Sequence, residues 1–390
     1  VTAEADSRTW RRIAGPLFVL RAAGQVLEFI GWVLLARRLG TSEFGVLSVA
    51  FLLARYAGLV ADWGASIGGS REVARDDSNW SMTSALIRRR RTAAIVLGAI
   101  FVGSCLVVGR VEMIPAVSVI AMLGLSRDWV AVGRHQGTRA AVPTMVQGAV
   151  FIGTAAAFAG PGRPALAVGA GYAAAATASV LLNPVRSRRL DRASDVRLEP
   201  WMLGAVMTNQ VLSSADTLVL TLFASSATVG IYSAVYRLPN AWMAGVSILA
   251  GALLPLTARA SAQPERFGRL RRSAFRVSIS AAVLLAALTP VITLAVPVVF
   301  GPEFAPGQGP VAVLLLATSV ATAAAPLHQF FLAQGTDRRY AAILSAAAAT
   351  LVIAGLVLIP SFGMMGAASA TLIAHVVLAS LLCFAVLGDR

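Results

Sequence analysis

The stretch "LLARRLGTSEFGVLSVAFLLARYAGLVADWG", residues 34–64, decides how the chain is read. It is apolar over most of its length, with a polar join at 37–43 and two charges, Arg55 and Asp62, in its second half. A bilayer takes about 20 residues of helix, and the runs on either side of the join are long enough. Seven residues make nearly two helical turns, so Arg55 and Asp62 share one face. A charge at bilayer depth costs about 2.5–3.5 kcal/mol on insertion scales, and it persists where a partner or a ligand compensates it.

The same apolar pattern fills all 390 residues, of which 57% are hydrophobic and 13% charged. The mean hydropathy is +0.75, well above that of an ordinary soluble domain. The expected fold is all-α and polytopic, with 12 transmembrane helices near 13–36, 44–66, 92–109, 113–133, 140–160, 164–184, 201–223, 229–255, 274–299, 309–333, 340–359 and 363–387. The first run carries Arg21 and Glu28 and no A-x-A cleavage site, so it reads as a retained helix. The expected domains are a six-helix lobe over 1–185, a charged linker at 186–200 and a second six-helix lobe over 201–390.

All 33 basic residues are Arg, for a net charge of +15. One alternate set of joins, with the two termini, holds 25 of them; the other set holds four, and Arg21, Arg55, Arg127 and Arg237 fall at membrane depth. By the positive-inside rule both termini are cytoplasmic. Basic residues placed in this way point to topology and anionic lipid, and no nucleic-acid partner is expected. With no Lys, the chain has neither a P-loop nor a Schiff-base lysine. Cys105 and Cys383 both lie in apolar runs, and no metal or other cofactor is expected. The run "RRRR" at 88–91 reads as a topology anchor on an interfacial helix.

The two halves echo each other. "GVLSVAF" (45–51) is matched by "GIYSAVY" (230–236), and "QGT" (136–138) by "QGT" (334–336). Matches at equivalent places in two six-helix halves indicate a parallel internal repeat. Residues 34–75 resemble the opening of polysaccharide flippases of the Wzx type, within the MOP superfamily that also holds lipid II flippases and MATE exporters. "DTLVLTLFASSATVGIYSAVYRLPNAWM" (216–243) is similar to the start of their second lobe, and "VFGPEFAPG" (299–307) to their short outer loop before helix ten. The resemblance implies a multi-pass protein of the bacterial cytoplasmic (inner) membrane that moves a polyprenyl-linked oligosaccharide through a cationic central cavity. It implies polysaccharide polymerase or assembly proteins as partners.

The candidate substrate-binding residues are the polar groups at membrane depth. Arg21, Gln25 and Glu28 share a face of helix one, and Arg55 and Asp62 share a face of helix two. Helix seven offers Asn209, Gln210 and Asp216, and helix eight offers Arg237. Guanidinium forks suit a lipid-linked phosphate, while amides and carboxylates suit sugar hydroxyls. Arg127 and His328 are secondary candidates. The competing reading makes Glu28–Arg55 and Asp216–Arg237 interhelical pairs that only set packing. No catalytic residue is expected. Three other functions fit less well: a MATE-like drug or metabolite antiporter, a membrane glycosyltransferase or polymerase, and a non-transporting scaffold. Cationic drugs prefer acidic cavities, and the outer joins are too short to carry a catalytic site.

Overall fold

In hydrocarbon the backbone must satisfy its own N–H and C=O groups, and a run of Ala, Val, Leu and Gly does so as a helix. The computed structural model describes residues 3–75, 80–134, 136–158, 163–185, 200–247, 264–334 and 337–387, and all regular structure among them is helical. Residues 186–199 of the expected linker 186–200, the end of helix eight at 248–255 and part of the second "QGT" lie outside the described residues. Among the described residues, seven helical stretches are long and apolar enough to cross a membrane. The protein is a multi-pass membrane protein.

In the first half the elements are α1 (Ala3–Asp62), α2 (Ala65–Arg75), α3 (Trp80–Val107), α4 (Val117–Leu125), α5 (Asp128–Gly133), α6 (Gly137–Phe158) and α7 (Leu166–Leu182). In the second they are α8 (Pro200–Leu212), α9 (Ala215–Phe223), α10 (Ser226–Val235), α11 (237–247), α12 (Pro264–Phe300), α13 (Gln308–Gln334) and α14 (Asp337–Leu387). Short 3-10 turns at Val111–Ala116 and Pro302–Gly307 precede α4 and α13.

The joins are tighter than the sequence suggested. The segment 37–43, expected as a loop, stays helical on both sides of Gly40, which alone leaves the helical region at φ 71°, ψ 178°. Gly363 does the same within α14, at φ 53°, ψ −128°. Without a Cβ, glycine enters this region freely, so one residue bends the chain where a loop was expected. Conversely, four of the expected helices are interrupted among the described residues: at Trp63–Gly64 between α1 and α2, at Ser126–Arg127 between α4 and α5, at Ser213–Ser214 between α8 and α9, and at Tyr236 between α10 and α11. α10 begins at Ser226, capped by the Ser225 hydroxyl, which accepts from the Thr228 N–H at 3.3 Å.

The chain divides into two compact units. The first comprises Val1–Leu39 and Leu47–Met207, the second Gly40–Val46 and Thr208–Arg390. In the first, α6 packs along α7, and α4 packs between α3 and α7. Its centre is aromatic: Trp32 lies edge-on to Phe51 and Phe151 at 5.0 and 5.2 Å, and Phe51 meets Tyr172 at 5.7 Å. In the second, α13 packs against α12 and α14, and α9 packs against α14. Its core is rich in buried alanine, including Ala347, Ala370 and Ala374. Small side chains let helices approach closely where lipid removes the hydrophobic drive between them. Val283, Val291, Leu294 and Val298 of α12 stay exposed, as suits a lipid-facing surface.

Residues 40–46 join the second unit by backbone contact with α10. A Cβ on Gly230 would sit 1.8 Å from the Thr41 carbonyl oxygen, and one on Gly45 would sit 1.9 Å from that of Ser226. Ser42 and Ser226 share a hydroxyl hydrogen bond of 2.8 Å, and Phe44 meets Phe304 edge-on. The two glycines that open the echoed segments therefore lie against each other.

Candidate functional site

The polar groups at membrane depth form two sets, one in each unit. The first set gathers where α4 breaks into α5. A helix that stops inside a hydrophobic body leaves carbonyls without donors. Here the Arg90 guanidinium supplies them, donating from one terminal nitrogen to the Ser126 carbonyl at 2.9 Å and from the other to the Leu123 carbonyl. The same guanidinium pairs with Asp62 at 2.6 Å. Asp62 also accepts from the Ser66 hydroxyl at 2.6 Å and from its N–H at 3.2 Å. Asp128, in the first turn of α5, accepts from the Ser179 hydroxyl of α7, and the Arg127 N–H donates to that hydroxyl oxygen at 2.7 Å. Asp128 lies within electrostatic reach of both Arg21 and Arg90.

This arrangement corrects the reading of "RRRR" as an anchor along its whole length. Arg88, Arg89 and Arg91 are exposed, but Arg90 is 1% exposed. Four consecutive helical residues point around a full turn, so one of them faces inward. Asp128 and Ser179 were also missed. The expected helix 113–133 holds Arg127 and Asp128 of "SRDW" (126–129) in one continuous run, and the structure breaks it there.

Glu28 sits elsewhere in the first unit, at the aromatic centre. It accepts from the Tyr172 hydroxyl at 3.2 Å and the Trp32 indole N–H at 3.4 Å. Arg21 and Arg127 are half-buried, while Gln25 and Arg55 are exposed.

The second set surrounds a cavity of about 500 Å³ inside the second unit. Asn209 and Ser213 reach it from α8 and the break that follows, Asn240 from α11, Thr318 and His328 from α13, and Thr371 and His375 from α14. None of the described residues that line it is Asp, Glu or Arg. Behind this wall lies Asp216, 1% exposed. Its carboxylate accepts from the Tyr232 hydroxyl at 2.6 Å, the Thr371 hydroxyl at 2.7 Å and the Thr217 N–H at 2.7 Å. These hydrogen bonds, and its place in the first turn of α9, compensate a carboxylate at this depth. His375 donates from Nδ1 to the Thr371 carbonyl, and His328 Nδ1 meets the Tyr340 hydroxyl, both at 2.8 Å. Arg237, half-buried, follows the cavity residue Tyr236.

Of the residues expected to form the site, Asn209, His328 and Asp216 come together at or behind this cavity. Asn240, Thr371 and His375 were missed. The i, i+4 spacing of Thr371 and His375 places them on one helical face, a signal that a search for charged residues passes over.

No family model and no curated protein matches the chain. Solved structures do. The lipid II flippase MurJ in its inward closed conformation superposes with a TM-score of 0.73 at 11% identity, over 95% of this chain and 87% of that one. The MATE multidrug transporter DinF-BH, in a ligand complex, gives a TM-score of 0.72 at 17% identity, over 100% of this chain and 97% of that one. At these identities the likeness is one of fold. The Vibrio cholerae MATE transporter VcmN, as a point mutant, shares it at a TM-score of 0.67, with 12% identity over 98% of this chain and 96% of that one.

Proposed function

We propose that the protein is a flippase, not an enzyme, that carries a polyprenyl-(pyro)phosphate-linked oligosaccharide from the inner to the outer leaflet of a bacterial cytoplasmic membrane. It works by alternating access between two six-helix lobes, with 12 spans and both termini inside. The observation that carries this reading is a fold shared with a lipid II flippase along 95% of the chain. The Wzx-type motifs and the Arg residues at membrane depth favour an anionic lipid carrier over a cationic drug. Arg21, Arg55 and Arg237 are assigned to its phosphate and Gln25, Glu28 and Asn209 to its sugar, with Arg127 at the edge; Asp62, paired with Arg90, and Asp216, held by hydroxyls behind the cavity wall, are assigned to the frame of the site. Polysaccharide polymerase and assembly proteins would receive the product.

A MATE-type antiporter is the second reading, because DinF-BH matches this chain over its whole length. Deletion of the gene separates the two. A flippase leaves a lipid-linked oligosaccharide trapped on the inner leaflet with its synthesis intact. If no such lipid accumulates and resistance to cationic drugs falls instead, the antiporter reading replaces it. Absence of the lipid-linked sugar altogether would favour a glycosyltransferase.

A further inference from the structure

We infer that the cavity of the second unit is a binding site for an uncharged, hydroxyl-rich group, a sugar ring. This rests on the flippase reading and assigns the sugar moiety of that substrate to a place. The donors and acceptors left once the bonds inside the wall are made set what the cavity can hold. The Ser213 hydroxyl donates to the Asn209 carbonyl and the Thr318 hydroxyl to the Leu314 carbonyl, both at 2.8 Å. The Thr371 hydroxyl donates to Asp216. These three hydroxyl protons are used, and each oxygen keeps acceptor capacity; the Tyr236 and Ser247 hydroxyls also line the cavity. His375 uses Nδ1–H on the Thr371 carbonyl, so Nε2 of the neutral ring accepts as well. Donors come chiefly from the side-chain amides of Asn209 and Asn240, two N–H each.

Such a wall is rich in acceptors, with a few paired donors. Among the described residues that line the cavity, a phosphate, which only accepts, would face several oxygens and no guanidinium. Among them a cation would find no carboxylate, because Asp216 stands behind Tyr232 and Thr371. A purely apolar guest would strand the amides and the imidazole nitrogen, which is costly in a low dielectric. Sugar hydroxyls donate and accept at once, and the C–H face of a ring packs on Leu212, Met243 and Leu378, which also line the cavity. About 500 Å³ falls within the roughly 300–1,000 Å³ of ordinary small-molecule sites.

The test uses the full chain in nanodiscs with a thiol placed at the cavity, Ser247→Cys, after Cys105→Ser and Cys383→Ser. The rate of reaction with an uncharged maleimide is read with and without free glucose, galactose or N-acetylglucosamine, inorganic phosphate, or the organic cation tetraphenylphosphonium. At least one sugar should slow labelling severalfold, with phosphate and tetraphenylphosphonium without effect. Asn240→Leu should remove the protection, and Asn240→Gln, which keeps the amide, should restore part of it. Equal labelling with and without every sugar overturns the assignment, as does protection by phosphate or by the cation. The outcome is separable from that of the flippase reading. A deletion strain that traps its lipid-linked sugar while no sugar protects the introduced thiol leaves the flippase and removes this site. A strain that traps none removes the parent reading.

Discussion

The two units bury a charge in opposite ways. In the first, Arg90 is enclosed by the Asp62 carboxylate and two helix-terminal carbonyls, so its terminal nitrogens are committed to the protein. In the second, Asp216 is enclosed by the hydroxyls of Tyr232, Thr371 and Thr217 and by the Thr217 N–H, and the Thr371 hydroxyl belongs to a wall that opens onto a cavity. The first is a structural clamp holding a broken helix. The second leaves neutral polar groups facing space. Two halves that echo each other in sequence have thus diverged in what their buried polar groups do. The abundance of Arg is therefore a poor guide to where a ligand sits.

The largest effect should come from the clamp. Arg90→Met leaves the buried Asp62 carboxylate without its counter-charge, held only by Ser66, and takes the guanidinium donors from the Leu123 and Ser126 carbonyls. Breaking a buried pair on one side costs about 3–5 kcal/mol, so the thermal midpoint of the purified protein should fall steeply. Adding Asp62→Asn should recover part of that loss, but not the part due to the uncapped carbonyls. Arg91→Met, one residue away and exposed, is the control. Equal losses for the two variants would break the comparison.

Asp216→Asn should cost less, about 1 kcal/mol. The amide keeps an acceptor for the Thr217 N–H, and the Tyr232 and Thr371 hydroxyls can turn to accept from its N–H groups. Removing the charge also removes its desolvation penalty. Thermal unfolding of the two variants side by side measures the contrast. A loss for Asp216→Asn as large as that for Arg90→Met would mean that both charges are structural clamps.

The helical class, the membrane setting and the internal echo were legible in the sequence because composition and spacing encode them. The echo even marked the close contact of Gly45 with α10, since only glycine allows a Cβ-free approach of backbone to backbone. The joins were less legible: the polar run 37–43 reads as a loop, whereas a single positive-φ glycine, Gly40, makes the turn and leaves its neighbours helical. The site was half legible. Asp216 and Asn209 stand out as polar residues in apolar runs, but Arg90 was hidden inside a run of four identical residues. A linear reading assigns all four to solvent, while helical geometry turns one toward the core. Thr371 and Asn240 were missed for the converse reason: neutral polar residues cost little in a helix and so attract no notice.

The smallest expected effect lies next to the clamp. The Arg89 guanidinium stands 4.5 Å from the centroid of the Trp63 ring, on the exposed side of α3. A cation over an aromatic face at such a site contributes about 0.5–1 kcal/mol. Trp63 follows α1 at a positive φ of 53°, which a bulky residue adopts only under constraint. The contact with Arg89 is therefore one of the forces that hold the turn between Asp62 and α2, and through it the position of Asp62 itself. Arg89→Ala should lower stability by about that amount, and Arg89→Lys by less. Trp63→Gly removes the ring but also relieves the backbone, so its own effect should be small. The decisive measurement is the double variant. With Trp63→Gly in place, Arg89→Ala should cost nothing further, because the interaction it removes is already gone. If Arg89→Ala costs the same in both backgrounds, the ring contact does not stabilise the turn, and Arg89 serves only as a surface charge.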